Sequence, residues 1–271
     1  MITALPRIAI AVNDFEQAVS VFGQDLGMPV LDMSDQTVPG LGAHVGMCVP
    51  EGGSNIELMA PANPDYPLSQ ALQKFLDRRG EGVYALMLEA PDPNAEADEL
   101  LGRGLGVLPL MKGAGGRDIH PRSTHGVLIR IYPDNSVGDT GDHESDKPNL
   151  SGITRAILAT ADVTQAAATY GAGLGLEVGE PEHDDDRGVV AIICRAPKGG
   201  VIELVSVVDP ERPFARAIDR SLENGGEGLY GLVLRAPDPQ SAMATLEDKG
   251  VVADQDGLGA LSVFGTRMLI E

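Results

Sequence analysis

"RRGEGVYALMLEAPDP", Arg78 to Pro93, returns as "NGGEGLYGLVLRAPDP", Asn224 to Pro239, with ten of the sixteen positions identical. The echo extends in both directions. "LPRIAIAVND" (Leu5 to Asp14) matches "ITRAILATAD" (Ile153 to Asp162), which places Arg155 148 residues after Arg7. "NIELMAP" and "VIELVSV" pair Glu57 with Glu203, and Tyr84 pairs with Tyr230, both at a spacing of 146. So steady an offset marks one supersecondary unit written twice, with changes of length confined to loops.

Each copy reads in the same order. An apolar β-type run, "RIAIAV", leads to Asp14 as N-cap and to an amphipathic helix through "FEQAVSVFGQDLG", which Gly27 stops. Three strands follow, near Val30 to Asp32, in "AHVGMCV" and in "NIELMAP", the last two joined by the Gly-rich turn "PEGGS". "LSQALQKFLDRRG" predicts a short helix. "VYALMLEA" then opens a second unit with a helix through "NAEADELLGRG" and at least two more strands, ending in "GVLIRIYP". The reading is α+β, with four βαβββ modules forming curved mixed sheets. A first domain is expected over 1–135, a polar linker over 136–151 ("NSVGDTGDHESDKPNLSG" is charged and turn-rich), and a second domain over 152–271.

Composition excludes several function classes. A net charge of −20 repels a phosphate backbone, and 4% aromatic residues with no Trp leave little to stack bases on, so no nucleic-acid partner is expected. No run of about 18 apolar residues is present to span a bilayer, and "MITALPRIAIAVND" lacks the marks of a signal peptide, so a cytoplasmic location without membrane contact is expected. Cys48 and Cys194 stand in corresponding apolar runs and read as buried hydrophobes rather than disulfide or metal partners.

Taken together, "RIAIAVNDFEQAVSVFGQDLGMPV", "IELMAP", "FLDRRGEGVYALMLEAPD" and "GAGGRDIHPRSTHGVLIRI" resemble the vicinal oxygen chelate superfamily, which contains glyoxalase I, methylmalonyl-CoA epimerase, extradiol dioxygenases and bleomycin- and fosfomycin-resistance proteins. The first copy is most similar to the epimerase branch. The resemblance implies tandem glyoxalase-like domains, each a cup in which four inward side chains hold a divalent metal. Such a metal stabilises an oxyanion on the substrate by Lewis acidity.

Carried across residue by residue, the implied ligand positions are Arg7, Glu57, Ala85 and Arg130 in the first copy. In the second they are Arg155, Glu203, Gly231 and the terminal Glu271, a spacing that falls to 141 at the last strand. On this alignment "HPRSTHG" has no counterpart in the second copy. Arginine offers no lone pair to a metal. The resemblance therefore predicts a site without the usual metal, and no other cofactor. It also disfavours extradiol dioxygenation, which needs two histidines and a carboxylate on iron.

Glu57 lies between Ile56 and Leu58, so it faces away from both. Two readings stand: an ion pair with Arg7 or Arg130 that fills the metal's place, or a general base beside a cationic pocket. Tyr84 is the candidate acid. Arg7, Arg130, Arg155, Glu203, Tyr230, His44 and His120 are the candidate substrate contacts, His44 only if its strand register turns it into the cup. His120 and His125 flank a hairpin at the cup entrance, and His143 and His183 read as loop residues. The leading expectation is an isomerase or epimerase that moves a proton next to a carbonyl, with a small carbonyl or carboxylate substrate, as a monomer or homodimer. The alternative is a metal-free binding protein of the bleomycin-resistance type. Elemental analysis of the chain purified from metal-replete medium is expected to find no stoichiometric divalent metal; one tightly held ion per chain would reverse this expectation.

Overall fold

In the computed structural model, which describes residues 1–34, 41–113, 115–136, 143–253 and 260–271, each copy builds one open mixed sheet. The first contains β1 (Ala4–Ala11), β2 (Val30–Asp32), β3 (Ala43–Cys48), β4 (Asn55–Pro61), β5 (Gly82–Ala90), β6 (Arg117–Ile119) and β7 (Ile129–Pro133), in the order β2-β3-β4-β1-β5-β7-β6. The second contains β8 (Arg155–Ala159), β10 (Glu182–Asp184), β11 (Val189–Arg195), β12 (Val201–Val207), β13 (Gly228–Leu234), β14 (Ala260–Val263) and β15 (Thr266–Ile270). Its order is β10-β11-β12-β8-β13-β15-β14, with β9 (Glu177–Val178) on β11. The two modules of a copy join where β1 meets β5 antiparallel, and likewise β8 with β13. In the later module of each copy the strand that follows the helix is, among the described residues, reduced to a single bridge, Val107 with Ile119 and Ala253 with Leu261.

Alternation along β1 sorts its side chains. Ile8 and Ile10 enter an apolar cluster shared by both halves, together with Phe15 and Ala18 of α1 (Phe15–Ser20) and Phe22 of the π-helical turn that prolongs it. Ala9 and Ala11 face the other way, under Leu68, Leu72 and Leu76 of α2 (Pro67–Arg79). These three leucines recur every fourth residue, which gives α2 one apolar stripe for the concave face. The "APDP" of the repeat sets helix starts: the side chains of Asp92 and Asp238 cap α3 (Pro93–Gly102) and α6 (Pro239–Asp248), each with Pro at its first position. The helices opposite α1 and α2 in the second copy are α4 (Val163–Ala168) and α5 (Pro213–Gly225). No helix among the described residues is long and apolar enough to cross a membrane.

The repeated "GEG" has a joint-forming role. Glu81 Oε1 accepts from Asn13 N at 2.8 Å, and Glu227 Oε1 from Ala161 N at 2.9 Å, so each carboxylate ties the start of one strand to the loop after another. Against them pack two hairpin tips with consecutive positive φ, His125 (52°) and Gly126 (83°), Phe264 (44°) and Gly265 (64°). A Cβ on Gly126 would collide with the Glu227 carbonyl, and one on Gly265 with the Glu81 carbonyl. Each half thus inserts a glycine tip against the "GEG" of the other. His125 adds Nδ1 to Glu227 Oε2 (2.8 Å) and Nε2 to Thr169 Oγ1 (3.2 Å) across the joint.

This arrangement corrects the sequence alignment at its end. The "HPRSTHG" hairpin does have a counterpart, the shorter tip at Phe264–Gly265; only the 3₁₀ turn at Pro121–Ser123 is peculiar to the first copy. Register then pairs Arg130 with Met87, and Leu269 with Val233, which stands 146 residues after Met87. Arg130 therefore corresponds to Leu269, and Glu271 to Tyr132. Gly126→Ala and Gly265→Ala are each expected to cost at least about 2 kcal/mol, from left-handed backbone strain together with overpacking. Thermal melting checks this, and an unshifted melting temperature for both would show that the joint is not tight.

Candidate functional site

On the concave side of the first sheet, pairing places Asn55, Arg7, Met87, Arg130 and Asp118 in one row across β4, β1, β5, β7 and β6. Strand spacing of about 4.8 Å separates neighbours. Arg7 Nε donates to Glu57 Oε2 at 2.8 Å, and its Nη1 donates to Ser136 Oγ at 2.8 Å; Ser136 Oγ in turn donates to Glu89 Oε1 at 3.0 Å. Tyr132 lies two residues after Arg130 on the same face. Its ring centroid is 4.6 Å from the Arg7 guanidinium and 5.6 Å from that of Arg130, so one aromatic ring gathers two cations.

Arg130 is only 1% exposed and Asp118 6%. Arg130 Nη2 donates to the Gly115 carbonyl at 3.2 Å. Its Nε approaches Asp118 Oδ1 to 3.2 Å but without hydrogen-bond alignment, and among the described residues neither atom has a hydrogen-bond partner. Burial pushes the Asp118 carboxyl above its usual range, even though Arg130 and Arg117 act in the opposite sense. Tyr84 reaches the same face because β5 bulges there: Ala9 pairs with Ala85 but Ile10 with Val83, so Tyr84 is the extra residue. Burial raises its phenol to about 12, against the pull of Arg130, so it is protonated at neutral pH. Burial also raises Tyr132.

The second cup keeps part of this plan. Arg155 Nε donates to Glu203 Oε2 at 2.8 Å, as Arg7 does to Glu57, and Arg187 Nη2 takes Glu203 Oε1 at 2.6 Å. Arg187 also bonds Asp184 at 2.6 Å, and Glu271 closes on Arg155 through Nη1 at 2.7 Å. Tyr230 sits at the matching bulge in β13, under Arg267 at 4.2 Å. Where the first cup has Arg130 and Asp118, register puts Leu269 and Ala260. Tyr84 and Tyr230 both line a cleft of about 290 Å³ between the halves, together with Phe75, Gly126, Gly265 and Arg267.

Of the residues singled out in the sequence, the fold brings Arg7, Glu57, Arg130 and Tyr84 to one concave face, and Arg155, Glu203 and Tyr230 to the other. His44 does not join them. It is exposed and stacks on Phe15 (5.4 Å between rings), on the face opposite the cup, because its strand neighbours Ala43 and Val45 are the ones that turn inward. His120 spends its Nδ1 as acceptor for Arg122 N at 3.0 Å, capping the 3₁₀ turn. Asp118, Tyr132, Arg187 and Asp184 were missed. Tyr132 carried a signal, two residues after Arg130 on the same strand face.

The side chains at the family's ligand positions do not fit a divalent metal. Two are arginines, one is Ala85, and Glu57 already accepts from Arg7. The second set is Arg155, Glu203, Gly231 and Leu269, and among the described residues no group of three His, Cys, Asp or Glu is placed to hold an ion.

The sequence profile of the glyoxalase/bleomycin resistance protein/dioxygenase superfamily matches residues 7–120 and again 156–260. The chain belongs to this superfamily. Human mitochondrial methylmalonyl-CoA epimerase is 29% identical over 132 residues, 47% of this chain and 72% of its own. A mutant form of 4-hydroxymandelate synthase from Streptomyces coelicolor superposes with a TM-score of 0.62 at 16% identity, covering 93% of this chain and 76% of that one. A fusion of a xylose isomerase-like TIM barrel with a 4-hydroxyphenylpyruvate dioxygenase gives 0.57 at 16% identity, covering 93% and 39%. At such identity the structural likeness shows the fold.

The buried Arg7–Glu57 pair makes a stability test. Removing one partner leaves the other's charge unmatched, so Arg7→Met alone is expected to cost about 3–5 kcal/mol, whereas Arg7→Met with Glu57→Leu costs far less. Denaturant unfolding of the single and double variants checks this; a double variant as unstable as the single would show that the charges do not compensate each other.

Proposed function

We propose that the chain is an isomerase or epimerase that moves a proton next to the carbonyl of a small anionic substrate in the first cup, without depending on the metal its relatives' folds are built to hold. The observation that carries this reading is the concave row itself, in which two buried arginines converge on one tyrosine ring, with Glu57 bonded to Arg7 and Asp118 beside Arg130. The likeness of half the chain to an epimerase supports the reaction class. In this reading Arg130 and Arg7 attract the substrate's carboxylate or developing enolate oxygen, because a fixed guanidinium in a dry site offsets negative charge strongly. Glu57 takes the proton with the carboxylate oxygen that Arg7 Nε does not hold, and Tyr84, protonated at neutral pH, supplies a hydrogen bond from the side of β5.

Deuterium wash-in from D₂O, followed by mass spectrometry across a panel of acyl thioesters, 2-oxo acids and hydroxy ketones, tests the proposal. One exchanged α-proton is expected for one class, with Glu57→Gln slowing exchange by about 100-fold or more while ligand affinity changes little. Tight binding without exchange would favour the second reading, a binding protein of the bleomycin-resistance type. That reading draws support from Glu57 being engaged by Arg7.

A further inference from the structure

The two cups share one ion pair and differ in another. Arg7–Glu57 recurs as Arg155–Glu203 with the same 2.8 Å bond, so that pair does not set the first cup apart. Arg130–Asp118 exists only in the first; Leu269 and Ala260 occupy those places in the second, and that sheet still closes β13, β15 and β14 in the same order. The fold therefore does not require a charged pair there. Nor is the pair well satisfied where it stands, since Arg130 Nε and Asp118 Oδ1 are buried, 3.2 Å apart and misaligned, each lacking a hydrogen-bond partner among the described residues. Buried polar atoms left in this state call for an explanation, and a polar group of a bound substrate supplies one.

We infer that Asp118, buried beside Arg130 and lacking a hydrogen-bond partner at Oδ1, is the acid that hydrogen-bonds and protonates the substrate's carbonyl oxygen as the α-proton leaves. The inference rests on the proton-transfer reading above and adds a catalytic residue to it. As Glu57 takes the α-proton, the C–H electrons form a carbon–carbon double bond. The carbonyl π electrons take the Asp118 proton, giving a neutral enol and an Asp118 carboxylate. Arg130, already 3.2 Å away, offsets that new charge. Running the two transfers backwards returns a proton from Glu57 to carbon and the enol proton to Asp118, which restores both groups and leaves no net oxidation. A carboxylic acid kept neutral by its surroundings is a strong oxyanion donor. The groups that set its state are Arg130 on β7, Arg117 on its own strand, and the phenols of Tyr84 and Tyr132; burial outweighs the two arginines and raises its pKa.

An acid that must be protonated works below its pKa and fails as pH rises through it. The pH profile of deuterium wash-in is therefore expected to fall on its alkaline side. Asp118→Asn, isosteric and unable to give up a proton, is expected to lower the rate by about 100-fold and to abolish that limb. An Asn variant with the wild-type rate and profile would overturn the role of Asp118. If Glu57→Gln is inactive at the same time, the proton-transfer reading survives without it. Should the Asn variant fail to fold, Asp118→Glu keeps an acid one methylene displaced and is expected to retain the limb at reduced rate; a flat profile overturns the inference. If the wild-type chain exchanges no substrate in the panel, the reading fails, and ¹³C-carboxyl NMR judges Asp118 separately. Titration above the ordinary aspartate range sustains a protonated Asp118, and titration within that range overturns it.

Discussion

A guanidinium buried among β-strands keeps its proton, so every arginine set into these cups must be met by a carboxylate, a carbonyl or an aromatic face. Much of the concave architecture follows from that demand. Arg7 takes Glu57, Ser136 and the ring of Tyr132; Arg155 takes Glu203 and Glu271. At the position two residues beyond the last-strand site, one copy answers the arginine with a phenol and the other with a carboxylate. The same electrostatic need is met by two different side chains on one backbone plan. Glu203 binds a further cation, Arg187, from the hairpin leading into β11, where the first copy has the apolar Leu41 near its cup.

Most of the fold was legible because its signals are local and doubled. N-caps at Asp14 and Asp162, the stop at Gly27, and alternation in "IEL" each constrain a few residues, and the second copy repeats the constraint with an independent sequence. Alternation also set Glu57 on the face opposite Ile56 and Leu58, which pack into the shared apolar cluster. It did not decide His44, since a whole strand changes face with a single step and both parities of "GAHVGMCV" leave apolar residues on each side. The last-strand alignment failed for a related reason. Glu271 and Leu269 differ by two residues and share a face, so a slip between them is invisible to any test of inward or outward facing. Only the pairing of β13 with β15 resolves it. Asp118 was beyond the sequence altogether: it sits in a three-residue strand, and its meaning depends on lying opposite Arg130.

Membership of the superfamily explains the cup, and the cup explains why charged residues tolerate burial there. Register sets side chains from five strands on one face, where Arg7, Tyr132 and Arg130 meet. There cations fixed to the chain are matched by carboxylates on neighbouring strands. The tyrosines at the β-bulges, Tyr84 and Tyr230, stand at the edge of each cup nearest the joint between halves, so cup and joint share a wall. Phe75 meets Tyr84 edge-on at 5.4 Å and Phe214 meets Tyr230 at 5.6 Å, fixing both rings from the helix side.

The reciprocal glycine tips give the chain the form of a symmetric dimer whose subunits have been tied together. In a true homodimer any substitution is made in both sites at once, so neither can change without the other following. Covalent linkage removes that restriction: one cup carries Asp118 with Arg130 while its twin carries Ala260 and Leu269, within a joint whose two glycine tips still match. Inheritance, more than chemistry, is what the tether frees, since it lets two descendants of one site answer to separate selection while still folding as a pair.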